Sequence, residues 1–193
     1  MRVLELTQDN WTAHLEINLM SIPFIQIGCT ECDFRGDTLT TFGRYLWQHE
    51  GNVFQFERQL GLCLDCNKVV AVEQLPSSET MQQARAIRRT YNGKPLLRFL
   101  EKDDAKYLAS QTHFKILEAV CELKRLPVCL ECGNSSIRQF ELPKQIDSDT
   151  KVSLGLKHPW CEGTLEAQSS GGLRMGLNPI TYTYDIYGRL LST

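Results

Sequence analysis

Six of the eight cysteines in this 193-residue chain stand in three Cys-x-x-Cys pairs: Cys29–Cys32, Cys63–Cys66 and Cys129–Cys132. Cys121 and Cys161 complete the set. The first residues, MRVLELTQDNWTAHLE, mix charge into every short window and lack the apolar core of a signal peptide. The expected compartment is therefore the reducing cytoplasm, where a disulfide framework is the poorer reading of so many cysteines. Two thiolates three residues apart on a tight turn can both reach one tetrahedral ion, and zinc is the usual occupant of such sites. No apolar run approaches the roughly 18 residues of a membrane span, so no membrane association is expected.

Sequence order pairs the first two knuckles. Between them, Thr38 to Trp47 and Val53 to Leu62 read as strands joined by a turn at His49-Glu50-Gly51-Asn52. A strand from Val69 to Val72 follows. Knuckle, hairpin, knuckle and strand resemble a zinc ribbon, with Cys29, Cys32, Cys63 and Cys66 as one site. The third pair finds partners in His158 and Cys161, because His-x-x-Cys keeps the knuckle spacing with an imidazole in place of one thiolate. Cys129, Cys132, His158 and Cys161 then form a second ribbon-like site, with Gly133 and Gly163 where a knuckle needs permissive backbone. Two zinc ions are expected. Cys121 is left over, on a helical stripe with Phe114, Leu117 and Val120, and reads as a free buried cysteine.

No catalytic arrangement stands out. Both sites count to four protein ligands, whereas catalytic zinc keeps an open position. His-Glu-x-x-His, a nucleophile elbow and a phosphate-cradling glycine loop are all missing from the sequence. His14, His49 and His113 are isolated. A thiol oxidoreductase would want a βαβ pattern around its Cys-x-x-Cys, and none is seen.

The expected fold class is α+β: two zinc-ribbon-like β units flanking a helical segment, packed as one unit. Residues 1–76 are β-rich, with a further strand in the alternation His14 to Leu19. Residues 77–126 are helical. A first helix starts after Pro76-Ser77-Ser78, carries Met81, Ala84, Ile87 and Tyr91 on one face, and breaks at Asn92-Gly93-Lys94-Pro95. A second runs from near Asp103 to Leu126, with Tyr107, Leu108, Phe114, Leu117, Cys121 and Leu123 facing inward, and Pro127 stops it. Residues 127–193 return to strands, with loops expected at 143–151 and 169–178.

Charge is unevenly spread. Net charge is −5 over residues 1–76, +4 over 77–126 and −1 over 127–193, which together make the chain's −2. A four-thiolate zinc site in the first third would take that region to about −7, a face that repels phosphate and attracts a basic partner. Glu31, Asp33, Asp37, Glu50 and Glu57 are the candidate partner contacts, with Tyr45, Trp47, Phe54 and Phe56 as candidate anchors. The opposite charge sits at Arg85, Arg88, Arg89, Lys94 and Arg98, which could grip a phosphate backbone or form a solvated helix face.

The C-terminal Tyr182-Thr183-Tyr184-Asp185-Ile186-Tyr187-Gly188-Arg189-Leu190 is similar to a single YD repeat of the Rhs family. The preceding Gly172 to Pro179 resembles Rhs core sequence more loosely. The resemblance covers about a tenth of the chain, carries over no catalytic residue, and bears on context. It implies a small protein encoded beside an Rhs locus, where immunity proteins bind and block toxins. Three readings stay open. One is a non-catalytic, zinc-stabilised protein-binding module, most concretely an immunity protein against a basic toxin domain. The second is a nucleic-acid-binding zinc-ribbon protein. The third is a thiol-redox or zinc-dependent enzyme.

Overall fold

The computed structural model describes residues 21–92, 101–148, 150–174 and 179–193. Side chains at 21–23, 90–92, 101–110 and 173–174 lie outside that description. The strands are β1 (Ser21–Cys29), β2 (Arg35–Asp37), β3 (Arg44–His49), β4 (Asn52–Gln55), β5 (Arg58–Cys63), β6 (Lys68–Glu73), β7 (Ile137–Gln139), β8 (Lys151–Lys157), β9 (Thr164–Arg174), β10 (Thr181–Asp185) and β11 (Leu190–Ser192). The helices are α1 (Ser78–Asn92) and α2 (Glu101–Glu122), with a 3-10 turn at Thr38–Thr41. Among the described residues there are three small sheets and two helices, an α+β or mainly β chain.

The first sheet has the order β2-β1-β9-β8, the second β11-β10-β3-β4 and the third β6-β5-β7. Strands from the first and last thirds of the chain pair in all three. β1 runs antiparallel to β9, β5 antiparallel to β7, and β3 parallel to β10.

The segment Thr38 to Trp47 is not one strand. Asp37 accepts a hydrogen bond from the Leu39 amide at 2.9 Å, which caps the 3-10 turn. Gly43 then adopts φ +143°, and β3 begins at Arg44. The turn at Glu50-Gly51 is where the sequence puts it, with positive φ at both residues. Val53 to Leu62 is also split. The chain leaves the second sheet after Gln55 and enters the third at Arg58, while Phe56 plugs the core beside Trp47 with ring centroids 4.5 Å apart.

The helices bear out most of their stripe. Ser77 caps α1 by accepting from the Thr80 amide at 3.1 Å. Met81, Ala84, Phe114, Ile116, Leu117 and Val120 are buried with Tyr45, Trp47, Phe56, Leu130 and Tyr184 in the largest core cluster. Ile87 departs from the expected face and is 42% exposed. The side chains of Tyr91, Tyr107 and Leu108 lie outside the described residues, as do His14 to Leu19 with their expected strand. α2 ends at Glu122, where Lys124 turns left-handed at φ 47°, before Pro127 is reached.

The glycine-rich stretch expected as a loop from 169 is strand as far as Arg174, and 175–178 lie outside the description. Pairing to β1 supplies the ladder. A bulge opposite Pro23–Ile25 absorbs Ser170 and Gly171, the latter at φ +82°. Residues 143–148 are irregular as expected, but Lys151 already belongs to β8.

The Rhs-like residues form the β10–β11 hairpin. The Asp185 carboxylate accepts from the Tyr187 and Arg189 amides at 2.9 and 2.8 Å, and Gly188 takes φ +84°. Tyr184 is buried and donates its hydroxyl to the Leu130 carbonyl at 3.0 Å.

One buried network lies outside anything read from sequence. Glu73 at the end of β6 has 0% exposure. Its carboxylate accepts from Trp47 Nε1 at 2.7 Å and from Arg125 through both terminal guanidinium nitrogens. Arg125 also donates to the Ile186 carbonyl from Nε at 3.0 Å and Nη2 at 2.8 Å. One ion pair thus ties β3, β6, the segment after α2 and the C-terminal hairpin together.

Candidate metal centres

All eight expected metal-ligating residues come together in two groups of four, but not in the expected pairing. Cys29, Cys32, His158 and Cys161 make one group, and Cys63, Cys66, Cys129 and Cys132 the other. Within each group the donor atoms lie within 4.8 Å of one another. The knuckles are nested, first with fourth and second with third, where sequence order suggested first with second.

Strand pairing is the cause. Cys29 ends β1, and in the β1–β9 ladder it sits opposite Leu165. The turn between β8 and β9 carries His158 and Cys161, so the ladder delivers both to the end of β1. Thr30 and Thr164 lock the join: the Thr30 amide donates to the Thr164 carbonyl at 3.1 Å, and the Thr164 amide to Thr30 Oγ1 at 3.0 Å. The turn holding His158 is closed by its own amide on the Gly163 carbonyl at 2.7 Å. The left-handed residue there is Glu162, at φ 60°. Gly163 is needed for space instead: a Cβ on it would fall 2.5 Å from Cys29 Sγ.

The second group is built in the same way on the third sheet. Cys63 ends β5 opposite Ile137 of β7, and Cys66 lies in the turn to β6. Cys129 bridges Val72 of β6, and the Leu130 amide donates to the Ala71 carbonyl at 3.0 Å. The Gly133 amide returns to the Cys129 carbonyl at 2.8 Å with φ +78°, the permissive backbone expected of this glycine.

The geometry suits a tetrahedral ion. Zn–S bonds of about 2.3 Å place two sulfurs about 3.8 Å apart, and a nitrogen at about 2.1 Å lies about 3.6 Å from a sulfur. In the first group Cys29 Sγ is 3.3 Å from Cys161 Sγ, and Cys161 Sγ is 3.4 Å from Cys32 Sγ. His158 Nδ1 is 3.4 Å from Cys32 Sγ and 3.2 Å from Cys161 Sγ. In the second, Cys63 Sγ and Cys132 Sγ are 3.7 Å apart. All eight cysteines are free thiols. Four donors converging on a point could hold an ion, whereas a disulfide would join two and strand the others.

The thiols are electrostatically uneven. Burial pushes Cys66 well up, and the hydrogen bonds and charge of its neighbouring thiols push it further. Burial likewise raises Cys129 to about 12 and Cys161 to about 11. One thiol in each group goes the other way despite burial. The Glu31 amide with Cys161 and Cys32 lowers Cys29, and the Asn134 amide with the three neighbouring thiols lowers Cys132. A cation at the centre of either group would favour the thiolate form of its thiols.

Burial separates the donors. Cys63 and Cys129 are fully enclosed, His158 is 2% exposed, and Cys132 is exposed. His158 packs against Phe34, with ring centroids 4.6 Å apart. Its outer nitrogen, Nε2, lies 2.9 Å from Asn67 Oδ1. Asn67 was not singled out from the sequence, where it is one polar residue after a knuckle. Cys121, half-buried against the largest core cluster, belongs to neither group.

The other candidates disperse. Glu31, Asp33, Glu50 and Glu57 are exposed, while Asp37 is half-buried and occupied in capping. Tyr45, Trp47 and Phe56 are at most 4% exposed, so they are core side chains and not anchors. Phe54 is half-buried and stacks on His113 at 3.9 Å. Arg88 lies over the Phe114 ring at 4.6 Å, which leaves Arg85 and Arg89 exposed on α1, and Lys94 and Arg98 lie outside the described residues. A cleft lined by Trp47, Phe54, Glu57 and His113, and another lined by Tyr45, Tyr182 and Tyr184, contain none of the eight donors. No helix among the described residues is long and apolar enough to cross a membrane.

The fold and the two donor groups define a small chain of β-sheets with two helices and two possible four-ligand metal centres. No protein-family model, curated protein or solved structure matches it.

Proposed function

We propose that the chain is a non-catalytic protein-binding module whose two metal centres hold zinc structurally. The observation that carries this reading is the donor count. Each centre offers four protein donors, three thiols with an imidazole or four thiols, a set that suits zinc and leaves no position for water or substrate. The centres sit where strands from opposite ends of the chain meet, so an ion there clamps the ladder β1–β9 and the ladder β5–β7. The clefts away from the centres bring no general base to a metal.

The partner is a protein with a basic surface. Glu31 and Asp33, exposed beside the first centre, support this, as does the net negative charge of two thiolate-rich sites. In its most concrete form the partner is a toxin domain that the chain blocks, a reading supported by the Rhs-like residues of the C-terminal hairpin.

Cobalt substitution tests the structural role. Co(II) in both centres should give tetrahedral thiolate spectra that azide and cyanide leave unchanged. A spectrum shifted by added anion would reveal an open position and overturn the non-catalytic reading. Native mass spectrometry of the protein taken from its own cells tests the partner. Two zinc ions and a co-purifying basic protein support the proposal; bound nucleic acid in its place overturns it.

A further inference from the structure

We infer that Asn67 is a positioning residue that couples the two metal centres: it belongs to the turn of the four-thiol centre but orients the histidine of the other. This rests on the metal-binding reading above. Asn67 follows Cys66 directly, at φ 49°, a left-handed conformation that asparagine tolerates better than most residues. The turn around it is set by the second centre, where the Cys66 amide donates to Cys63 Sγ at 3.4 Å. From there Asn67 Oδ1 reaches His158 Nε2 at 2.9 Å, while His158 Nδ1 faces Cys32 and Cys161.

The chemistry of that contact is directional. A neutral imidazole that ligates through Nδ1 carries its proton on Nε2. An amide oxygen only accepts, so it selects the tautomer whose Nδ1 lone pair is free for a metal. His158 is almost fully buried. The framework between the centres is stiff. A Cβ on Gly36 of β2 would fall 2.4 Å from Val69 Cγ2 of β6, and Arg138 of β7 donates to the carbonyl of Lys157, next to His158, at 3.3 Å. Filling the four-thiol centre fixes the Cys63–Cys66 turn and with it Asn67. The three-thiol centre then binds with its imidazole already oriented, and linkage makes the effect reciprocal.

The test uses the full chain titrated with Co(II) against a chromophoric chelator, with the two centres told apart by their four-thiolate and three-thiolate–imidazole spectra. Asn67→Gly keeps the left-handed backbone and removes the acceptor, and Asn67→Asp keeps an acceptor. Asn67→Gly should weaken the three-thiol centre about 10- to 100-fold, as loss of an outer partner of a metal-bound histidine does. Asn67→Asp should restore it. Nitrogen-15 NMR of the zinc-loaded wild type should find the His158 proton on Nε2. The inference is overturned if both variants bind like wild type, if Asn67→Gly weakens the four-thiol centre as much as the three-thiol centre while the three-thiol centre is still empty, or if Nε2 is the metal-bound nitrogen. Failure of the wild type to take up two ions would overturn the metal-binding reading itself.

Discussion

Arg125→Met should be the most damaging single change outside the metal ligands, and its cost can be worked from the Glu73 network. The substitution keeps the length of the side chain and removes every donor. Glu73, fully buried, would retain Trp47 Nε1 and lose both guanidinium contacts, and the Ile186 carbonyl would lose two donors. Breaking one partner out of a buried pair typically costs about 3–5 kcal/mol. The stranded Ile186 carbonyl adds about 1 kcal/mol, so the expected deficit at pH 7 is about 4–6 kcal/mol.

Urea denaturation of both proteins at fixed excess zinc measures the deficit, and metal losses common to the two cancel. The double variant Glu73→Met with Arg125→Met, which buries no charge, should recover most of the loss. A deficit below about 1 kcal/mol at pH 7, or a double variant as unstable as the single, would refute the reasoning.

Three further outcomes follow from single contacts. Gly163→Ala sets a methyl 2.5 Å from Cys29 Sγ, a close approach that costs about 1–3 kcal/mol to relieve; native mass spectrometry at limiting zinc should then show the four-thiol centre filled before the other. Burial holds the His113 imidazole below its usual value of 6.5, so its neutral form stabilises the fold above that pH and the contribution fades as pH falls below it; the urea midpoint of wild type should drop on acidification more than that of His113→Phe. Tyr184→Phe removes the donor to the buried Leu130 carbonyl and should cost about 1 kcal/mol in the same assay without changing metal content.

The ligands were legible in the sequence and their pairing was not, for different physical reasons. A Cys-x-x-Cys or His-x-x-Cys knuckle is a local object: two donors on one tight turn, visible in four residues. Which knuckles meet is decided by registers such as Cys29 opposite Leu165, set between strands far apart in sequence. Proximity in sequence favoured Cys29 with Cys63, and the β1–β9 ladder overruled it. The same division holds elsewhere. The turn at Glu50-Gly51 and the cap at Ser77 are local and were readable. The breaks at Gly43 and after Gln55 depend on a second sheet receiving the chain. Strand residues at 169–174 looked like loop because glycine and serine are weak strand formers, until β1 supplies a partner. Glu73 ends a run of valines and alanine and carries no sequence sign that it would be the buried anion, since Arg125 reaches it from 52 residues away.

Nested pairing has a consequence that bears on how the two centres influence each other. Cys32 and His158 are 126 residues apart, and the donors Cys63 and Cys132 of the inner centre, 69 apart, lie between them. Closing the inner centre first roughly halves the free chain the outer one must close. Halving a loop lowers its closure cost by only about 0.6 kcal/mol, a factor of about 3 in affinity. That topological help acts on the unfolded chain and is blind to the identity of residue 67. A structured contact through Asn67 acts on the folded chain and is worth about 10- to 100-fold. The two origins therefore separate cleanly. Coupling of about threefold that survives Asn67→Gly belongs to chain topology. Coupling beyond that, lost in Asn67→Gly and kept in Asn67→Asp, belongs to the hydrogen bond between the turn of one centre and the histidine of the other.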